Sequence, residues 1–192
     1  MKIIKTEIEG LFIIEPQVFK DSRGFFFESY SRRVLAGYGI DFDFVQDNHS
    51  RSVKGTVRGL HFQKNHPQDK IVRVISGEIL DIAVDLRPDS PTFGKSQSFV
   101  LSSENYLQLF ISKGFAHGFC VLGDSAEIIY KCSDFYYAED EMGIRWNDPD
   151  LDIDWPVSNP ILSARDSQNS FFKQLDFSSY SPAKGYKVKF LA

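Results

Sequence analysis

Four histidines stand in the chain: His49, His61, His66 and His117. Imidazole both takes and gives a proton near neutral pH, yet a histidine alone in a β protein is more often structural than catalytic. Two of the four have a context that favours chemistry. His61 lies in Val57-Arg58-Gly59-Leu60-His61-Phe62-Gln63, and His117 in Gly114-Phe115-Ala116-His117-Gly118-Phe119. Each sits in an apolar, strand-like stretch beside glycine, where bulges and close approach by a ligand are common. Strict alternation puts Arg58 and His61 on opposite faces of a strand. If both face one cavity, a bulge near Gly59 is required, and we expect one there. A metal site is disfavoured. The chain has no H-x-H, His61 and His66 are five apart and point to opposite faces of a regular strand, and Asn65, Pro67 and Gln68 place His66 in a loop.

The other polar candidates suggest an anionic ligand. Arg23, Arg58, Lys70 and Arg165 can hold a pyrophosphate by charge-assisted hydrogen bonds. Lys70 opens the apolar run Lys70-Ile71-Val72-Arg73-Val74, where a cation either protects a sheet edge or meets a ligand. Gln46 and Asn48 are two apart, so in a strand they share a face and can bond one edge of a ligand. Tyr130 ends the run Ala126-Glu127-Ile128-Ile129-Tyr130, and pattern alone favours packing at the core or its rim.

The elements that must position these residues are mostly strands. Short apolar runs alternate with turn signals, the pattern of an all-β chain. Strands are expected over 11–15, 25–30, 42–50, 97–101, 106–111, 115–122 and 126–133. The clearest hairpin is Lys70–Ser76, Gly77, Glu78–Leu86, with Leu80, Ile82, Val84 and Leu86 on one face and Ile79, Asp81, Ala83 and Asp85 on the other. Ser31 is placed to cap a short helix with Val34, Leu35 and Tyr38 on one side, ended by Gly39. Asp166 is placed to cap a last helix with Phe171, Phe172 and Leu175 on its apolar side. About ten short strands in one chain suggest a jelly-roll sandwich or barrel.

The 192 residues suit a single domain, expected over 1–192. With 22 Lys+Arg against 26 Asp+Glu, the net charge is −4. That balance argues against a nucleic-acid or anionic-membrane partner. No run approaches the roughly 18 apolar residues that span a bilayer, no signal peptide is visible at the N-terminus, and Cys120 and Cys132 suit free thiols in a reducing compartment. A cytoplasmic protein is therefore expected. The aromatic content, 18 Phe, 8 Tyr and 2 Trp, is high. It fits half-buried pleated surfaces and offers flat faces for a ring-shaped ligand.

Taken together, the segments Asp21-Ser22-Arg23-Gly24-Phe25-Phe26-Phe27-Glu28, Phe44-Val45-Gln46-Asp47-Asn48-His49-Ser50-Arg51-Ser52, Arg58-Gly59-Leu60-His61-Phe62-Gln63, Ala83-Val84-Asp85-Leu86-Arg87, Ser90-Pro91-Thr92-Phe93-Gly94, Gly114-Phe115-Ala116-His117-Gly118-Phe119, Trp146-Asn147-Asp148-Pro149 and Leu162-Ser163-Ala164-Arg165-Asp166 resemble the dTDP-4-dehydrorhamnose 3,5-epimerases. The likeness runs over almost the whole chain. It implies a mainly-β, cupin-type jelly-roll barrel with a few short peripheral helices, a homodimer, and neither cofactor nor metal. It implies that His61 is the general base paired with Asp166, that Tyr130 is the general acid, and that Lys70 stabilises an enolate. Arg23, Glu28, Gln46, Asn48, Arg58, His117, Glu141 and Arg165 match positions that contact the sugar nucleotide. The family often has Lys where this chain has Arg165, which keeps the charge and changes the hydrogen-bond geometry. Phe25, Phe27 and Tyr136 are the aromatics we would place against thymine.

These assignments suit the implied chemistry. In a 4-keto sugar, C3 and C5 both adjoin the ketone, so loss of either proton sends the electron pair into the carbonyl oxygen. Inversion removes the proton from one face of the ring and returns one to the other, which needs groups on opposite walls. A single-position epimerase or a ketoisomerase on a related dTDP-4-keto-6-deoxy sugar is the alternative on the same fold.

Overall fold

Residues alternate between two environments along nearly every strand, and that alternation builds the architecture. The computed structural model describes residues 1–180 and Pro182; the rest of the expected 1–192 domain lies outside the described residues. The strands are β1 (Lys2–Lys5), β2 (Leu11–Glu15), β3 (Phe19–Asp21), β4 (Gly24–Phe26), β5 (Gln46–Val53), β6 (Val57–Gln63), β7 (Lys70–Ser76), β8 (Glu78–Asp85), β9 (Ser96–Ser102), β10 (Gln108–Ile111), β11 (Phe115–Val121), β12 (Ser125–Cys132) and β13 (Glu141–Gly143), with one helix, α1 (Arg32–Gly37). A six-stranded sheet has the order β1-β2-β10-β7-β12-β5, and a five-stranded sheet the order β13-β6-β11-β8-β9. The expected mainly-β jelly roll is present. The two sheets share no strand, so the barrel is not closed.

Three apolar layers hold it together. Between the sheets, Leu11, Val72, Val74, Leu109 and Ile128 meet Ile79, Ala83, Leu101, Phe115 and Phe119. Outside the six-stranded sheet, Phe12, Ile71 and Phe110 are covered by Leu35 of α1, Ile40 and the rings of Tyr30, Phe42 and Phe44. Outside the five-stranded sheet, Leu60, Phe62, Ile82 and Ala116 are covered by Leu151, Trp155, Phe172, Phe177 and Tyr180. Most of the aromatic excess therefore serves as wrapping. Each fully buried side chain of this size contributes about 1.5–3 kcal/mol relative to exposure.

Several expectations are corrected. β7 and β8 do not form a hairpin: β7 pairs with β10 and β12, whereas β8 pairs with β11 and β9. Gly77 is instead the corner where the chain crosses from one sheet to the other. Its φ is +79°, and a Cβ there would lie 2.0 Å from the Ser125 carbonyl oxygen. Only glycine fits such a corner. The strand expected over 25–30 is only Gly24–Phe26, paired with Phe19–Asp21; beyond it the chain is held by the Gln108 amide, which donates to the Ser29 carbonyl. The strand expected from Phe42 begins at Gln46, because Phe42 and Phe44 turn into the outer aromatic layer. Ser31 stands at the N-cap position of α1, but its side chain makes no capping bond.

Beside the core, the fully buried Asp85 accepts hydrogen bonds from Arg87 Nε (2.8 Å), Arg87 Nη2 (2.7 Å), Ser90 Oγ (2.6 Å) and Thr92 Oγ1 (2.6 Å). Burial alone would raise its pKa, but these bonds outweigh it and hold the carboxyl below its usual range. An acid depressed in the folded state contributes stability that is complete above its unfolded pKa of about 3.9 and is lost as pH falls from there through the folded value. We therefore expect the melting temperature to fall below pH ~4. We also expect Asp85→Asn to lower it at neutral pH and flatten the acid slope. An Asp85→Asn protein with an unchanged slope would show that the loss comes from other groups.

Candidate active site

A cavity of about 760 Å³ lies between the sheets, lined from β5, β6, β7, β11, β12 and the segment 161–166. One wall depends on the bulge expected at Gly59. In the β6–β11 ladder His117 faces His61 and Phe119 faces Arg58, so Gly59 and Leu60 together stand opposite Gly118. Gly59 has φ +110°, and a Cβ on it would lie 2.6 Å from both Gly118 Cα and the His117 carbonyl oxygen. The Gly59–Leu60 peptide bond is cis. The extra residue sends Leu60 into the outer core while Arg58 and His61 both line the cavity.

His61 Nε2 is 2.5 Å from Asp166 Oδ1, and its Nδ1 is 3.9 Å from Glu141 Oε1. With Nε2–H donating to the Asp166 carboxylate, the Nδ1 lone pair is the available base. Burial alone would raise the Asp166 pKa, but its bonds to His61, to the Ser163 hydroxyl and to the Gly59 backbone outweigh this and lower it. The expected capping role for Asp166 is not observed. Arg165 holds the N-cap position of a 3-10 turn over Asp166–Gln168, and the Asp166 side chain is engaged by His61. The expected last helix is broken into this turn and a second one over Phe172–Gln174, because Ser170 between them bridges to Ile144.

The facing wall comes from the other sheet. Register aligns Tyr130 with Asn48 and Val72, and Cys132 with Gln46 and Lys70. Tyr130, Lys70, Gln46 and Asn48 all line the cavity. The Lys70 ammonium is 5.9 Å from the centre of the Tyr130 ring. Burial, aided by the Glu141 carboxylate and opposed by Arg58, pushes the Tyr130 phenol up to about 12, so it keeps its proton at neutral pH. Burial lowers the Lys70 pKa, and the Glu141 and Asp81 carboxylates oppose that shift.

Other residues support these. Arg58 Nε donates to Ser52 Oγ at 3.0 Å. His117 Nε2 lies 3.0 Å from both oxygens of the fully buried Asp81. Gln46 Nε2 donates to Asn48 Oδ1 at 3.0 Å, and Gln46 Oε1 accepts the Tyr136 N–H. The two amides thus bond to each other and to a loop. Glu141 and Arg165 form an ion pair at the cavity edge. Arg23 and Glu28 are not brought to the cavity: they belong to the β3–β4 hairpin and its exit, where Arg23 pairs with Asp21 at 2.6 Å. Phe25 and Phe27 also lie outside it, packed on each other and on Tyr106. Of the three aromatics placed against thymine, Tyr136 alone lines the cavity.

Sequence reasoning missed Asp81 as the partner of His117. The signal was present, since a charged residue shares a strand face with Ile79 and Ala83. Among the described residues no group of three or more His, Cys, Asp or Glu is placed to hold a metal ion. Among them, too, no helix is long and apolar enough to cross a membrane.

A base held by a carboxylate on one wall, with a protonated phenol and an ammonium on the other, suits proton removal and return beside a carbonyl. Comparison with known proteins points the same way. The family model for dTDP-4-dehydrorhamnose 3,5-epimerase matches residues 5–174. A Shigella flexneri dTDP-4-dehydrorhamnose 3,5-epimerase is 51% identical over 179 residues, 92% of this chain and 99% of that protein. The crystal structure of a Legionella pneumophila 3,5-epimerase in complex with dTDP-4-keto-L-rhamnose superposes with a TM-score of 0.90 at 46% identity, covering 95% of this chain and 98% of that one. A 3'-monoepimerase from Streptomyces bikiniensis in complex with dTDP-quinovose superposes with a TM-score of 0.82 at 32% identity, covering 88% and 86%.

Proposed function

The chain belongs to the dTDP-4-dehydrorhamnose 3,5-epimerase family, and from that premise we propose how its cavity inverts C3 and C5 of dTDP-4-dehydro-6-deoxy-D-glucose. The product, dTDP-4-dehydro-L-rhamnose, serves dTDP-L-rhamnose biosynthesis. His61 Nδ1 takes the proton from the carbon beside the ketone. The C–H electron pair enters the carbonyl, and Lys70 stabilises the oxyanion that forms. Tyr130 then delivers its phenolic proton to the opposite face of the same carbon, leaving phenolate and imidazolium, which solvent resets before the second centre reacts. The ketone is the electron sink, so the chemistry calls for no cofactor or metal. Arg58, His117 and Arg165 hold the diphosphate and sugar, and Gln46, Asn48 and Glu141 complete the contacts. The nucleotide takes no part in bond making, but its binding fixes the ring between the walls.

One observation carries this reading: His61 with Asp166, and Tyr130 with Lys70, enter one cavity from two different sheets. The test is incubation with the substrate in D₂O, reading deuterium at C3 and C5. We expect label at both. Label at C3 alone would favour the monoepimerase reading, which the Streptomyces likeness makes the alternative. We expect Tyr130→Phe to lose ~10²-fold or more in product formation while the substrate still exchanges protons through His61. Equal loss of exchange and product would remove Tyr130 from the acid role.

The reading extends to a homodimer. Phe19, Phe25 and Phe26 on the β3–β4 hairpin are exposed, and a second copy docked there would cover them and bring Arg23 and Glu28 to a ligand. It also extends to one domain and to the cytoplasm, which the free thiols of Cys120 and Cys132 suit.

A further inference from the structure

Glu141 stands between two partners. Its carboxylate pairs with the Arg165 guanidinium and accepts the Tyr136 hydroxyl at 2.9 Å. Arg165 Nη2 also donates to the Glu141 carbonyl oxygen at 2.8 Å. The other carboxylate oxygen, Oε1, is 3.9 Å from His61 Nδ1, just beyond hydrogen-bond reach. The Arg165 side chain is 48% exposed and that of Glu141 only 16%. An anion entering from solvent therefore meets Arg165 first.

We propose that Glu141 is a positioning residue whose charge is exchanged between Arg165 and His61: an incoming diphosphate takes Arg165, and the released carboxylate, beside His61 but clear of the Nδ1 lone pair, then acts on the imidazole. This rests on the reading that the ligand is a nucleoside-diphosphate sugar. Before binding, the carboxylate is neutralised by the guanidinium and contributes little to the base. After binding, its unneutralised charge, 3.9 Å from Nδ1 in the ligand-free site, stabilises the imidazolium formed when the imidazole takes the substrate proton. Binding energy from a remote part of the ligand is thereby used at the reacting carbon. Arginine suits the role, since its planar fork engages the side-chain and main-chain oxygens of one glutamate together, which an ammonium at this position does not reproduce.

The test uses the full chain, dTDP as the probe, and kcat measured beside dTDP affinity. In Glu141→Gln a neutral amide no longer competes for Arg165. We expect dTDP to bind about threefold to fivefold more tightly while kcat falls ~10-fold or more. A residue that merely supports the fold would weaken both. In an Arg165→Met background the same change should tighten dTDP binding no further, which separates exchange from simple removal of negative charge. Tyr136→Phe, which removes one donor to Glu141 and leaves the charges in place, should lower kcat without weakening dTDP binding. Weaker or unchanged dTDP binding in Glu141→Gln, or an unchanged kcat, would overturn the exchange. Failure of the wild-type protein to bind dTDP at all would overturn the nucleotide reading together with it.

Discussion

Replacing His61 with Asn lowers kcat by ~10³-fold or more and leaves dTDP binding within a few-fold of wild type. The expectation follows from the atoms around the ring. His61 Nε2 is 2.5 Å from Asp166 Oδ1, so one nitrogen is occupied and the other presents its lone pair to the cavity. An asparagine amide keeps a donor for Asp166 and avoids leaving that buried carboxylate without a partner, so the fold should persist. It has no proton affinity near neutral pH, so the group that faces the ring carbon from this position can no longer take a proton from C3 or C5. Deuterium incorporation at both carbons should vanish along with product. Near-normal incorporation in His61→Asn would transfer the base role to another group, His117 being the next candidate in the cavity.

Lys70→Met should lower kcat by ~10²–10³-fold, the usual cost of losing one group that stabilises a developing oxyanion. Its effect on stability should run the other way. Lys70 enters the cavity from the start of β7, and burial disfavours its charged form. No carboxylate of a described residue pairs with it, and its ammonium lies 5.9 Å from the centre of the Tyr130 ring. A half-buried cation without an ion-pair partner among the described residues is a burden to the ligand-free protein. Methionine keeps the length and removes the charge, so the melting temperature should hold or rise as activity collapses. Activity and melting temperature falling together would mean that Lys70 acts as scaffold and not at the carbonyl oxygen.

Much of the site was readable because its polar residues interrupt patterns that apolar residues set. Arg58 and His61 can share a cavity only through a bulge, and the glycine between them marked its place. Gln46, Asn48, Lys70 and Tyr130 reach the interior by plain alternation. The misreadings share a physical origin. Gly77 between two apolar strands looks like a hairpin turn, and nothing local says that the second strand pairs in a different sheet. Asp166 before Phe171 and Phe172 looks like a cap until His61, distant in sequence, claims its carboxylate and Ser170 bridges to Ile144. Arg23 and Glu28 carry the right chemistry, but no local signal says that one chain alone leaves them outside the pocket lining. In each case the deciding partner is remote along the chain.

The crossing at Gly77 bears on how the cavity breathes. One residue links β7, which carries Lys70, to β8, whose Asp81 holds His117. With no slack in that joint and no room for a side chain beside Ser125, the facing sheets are denied a hinge at this corner. Admission of ligand and recycling of protons with bulk water then fall to the rim, where residues 134–141 and 163–166 meet.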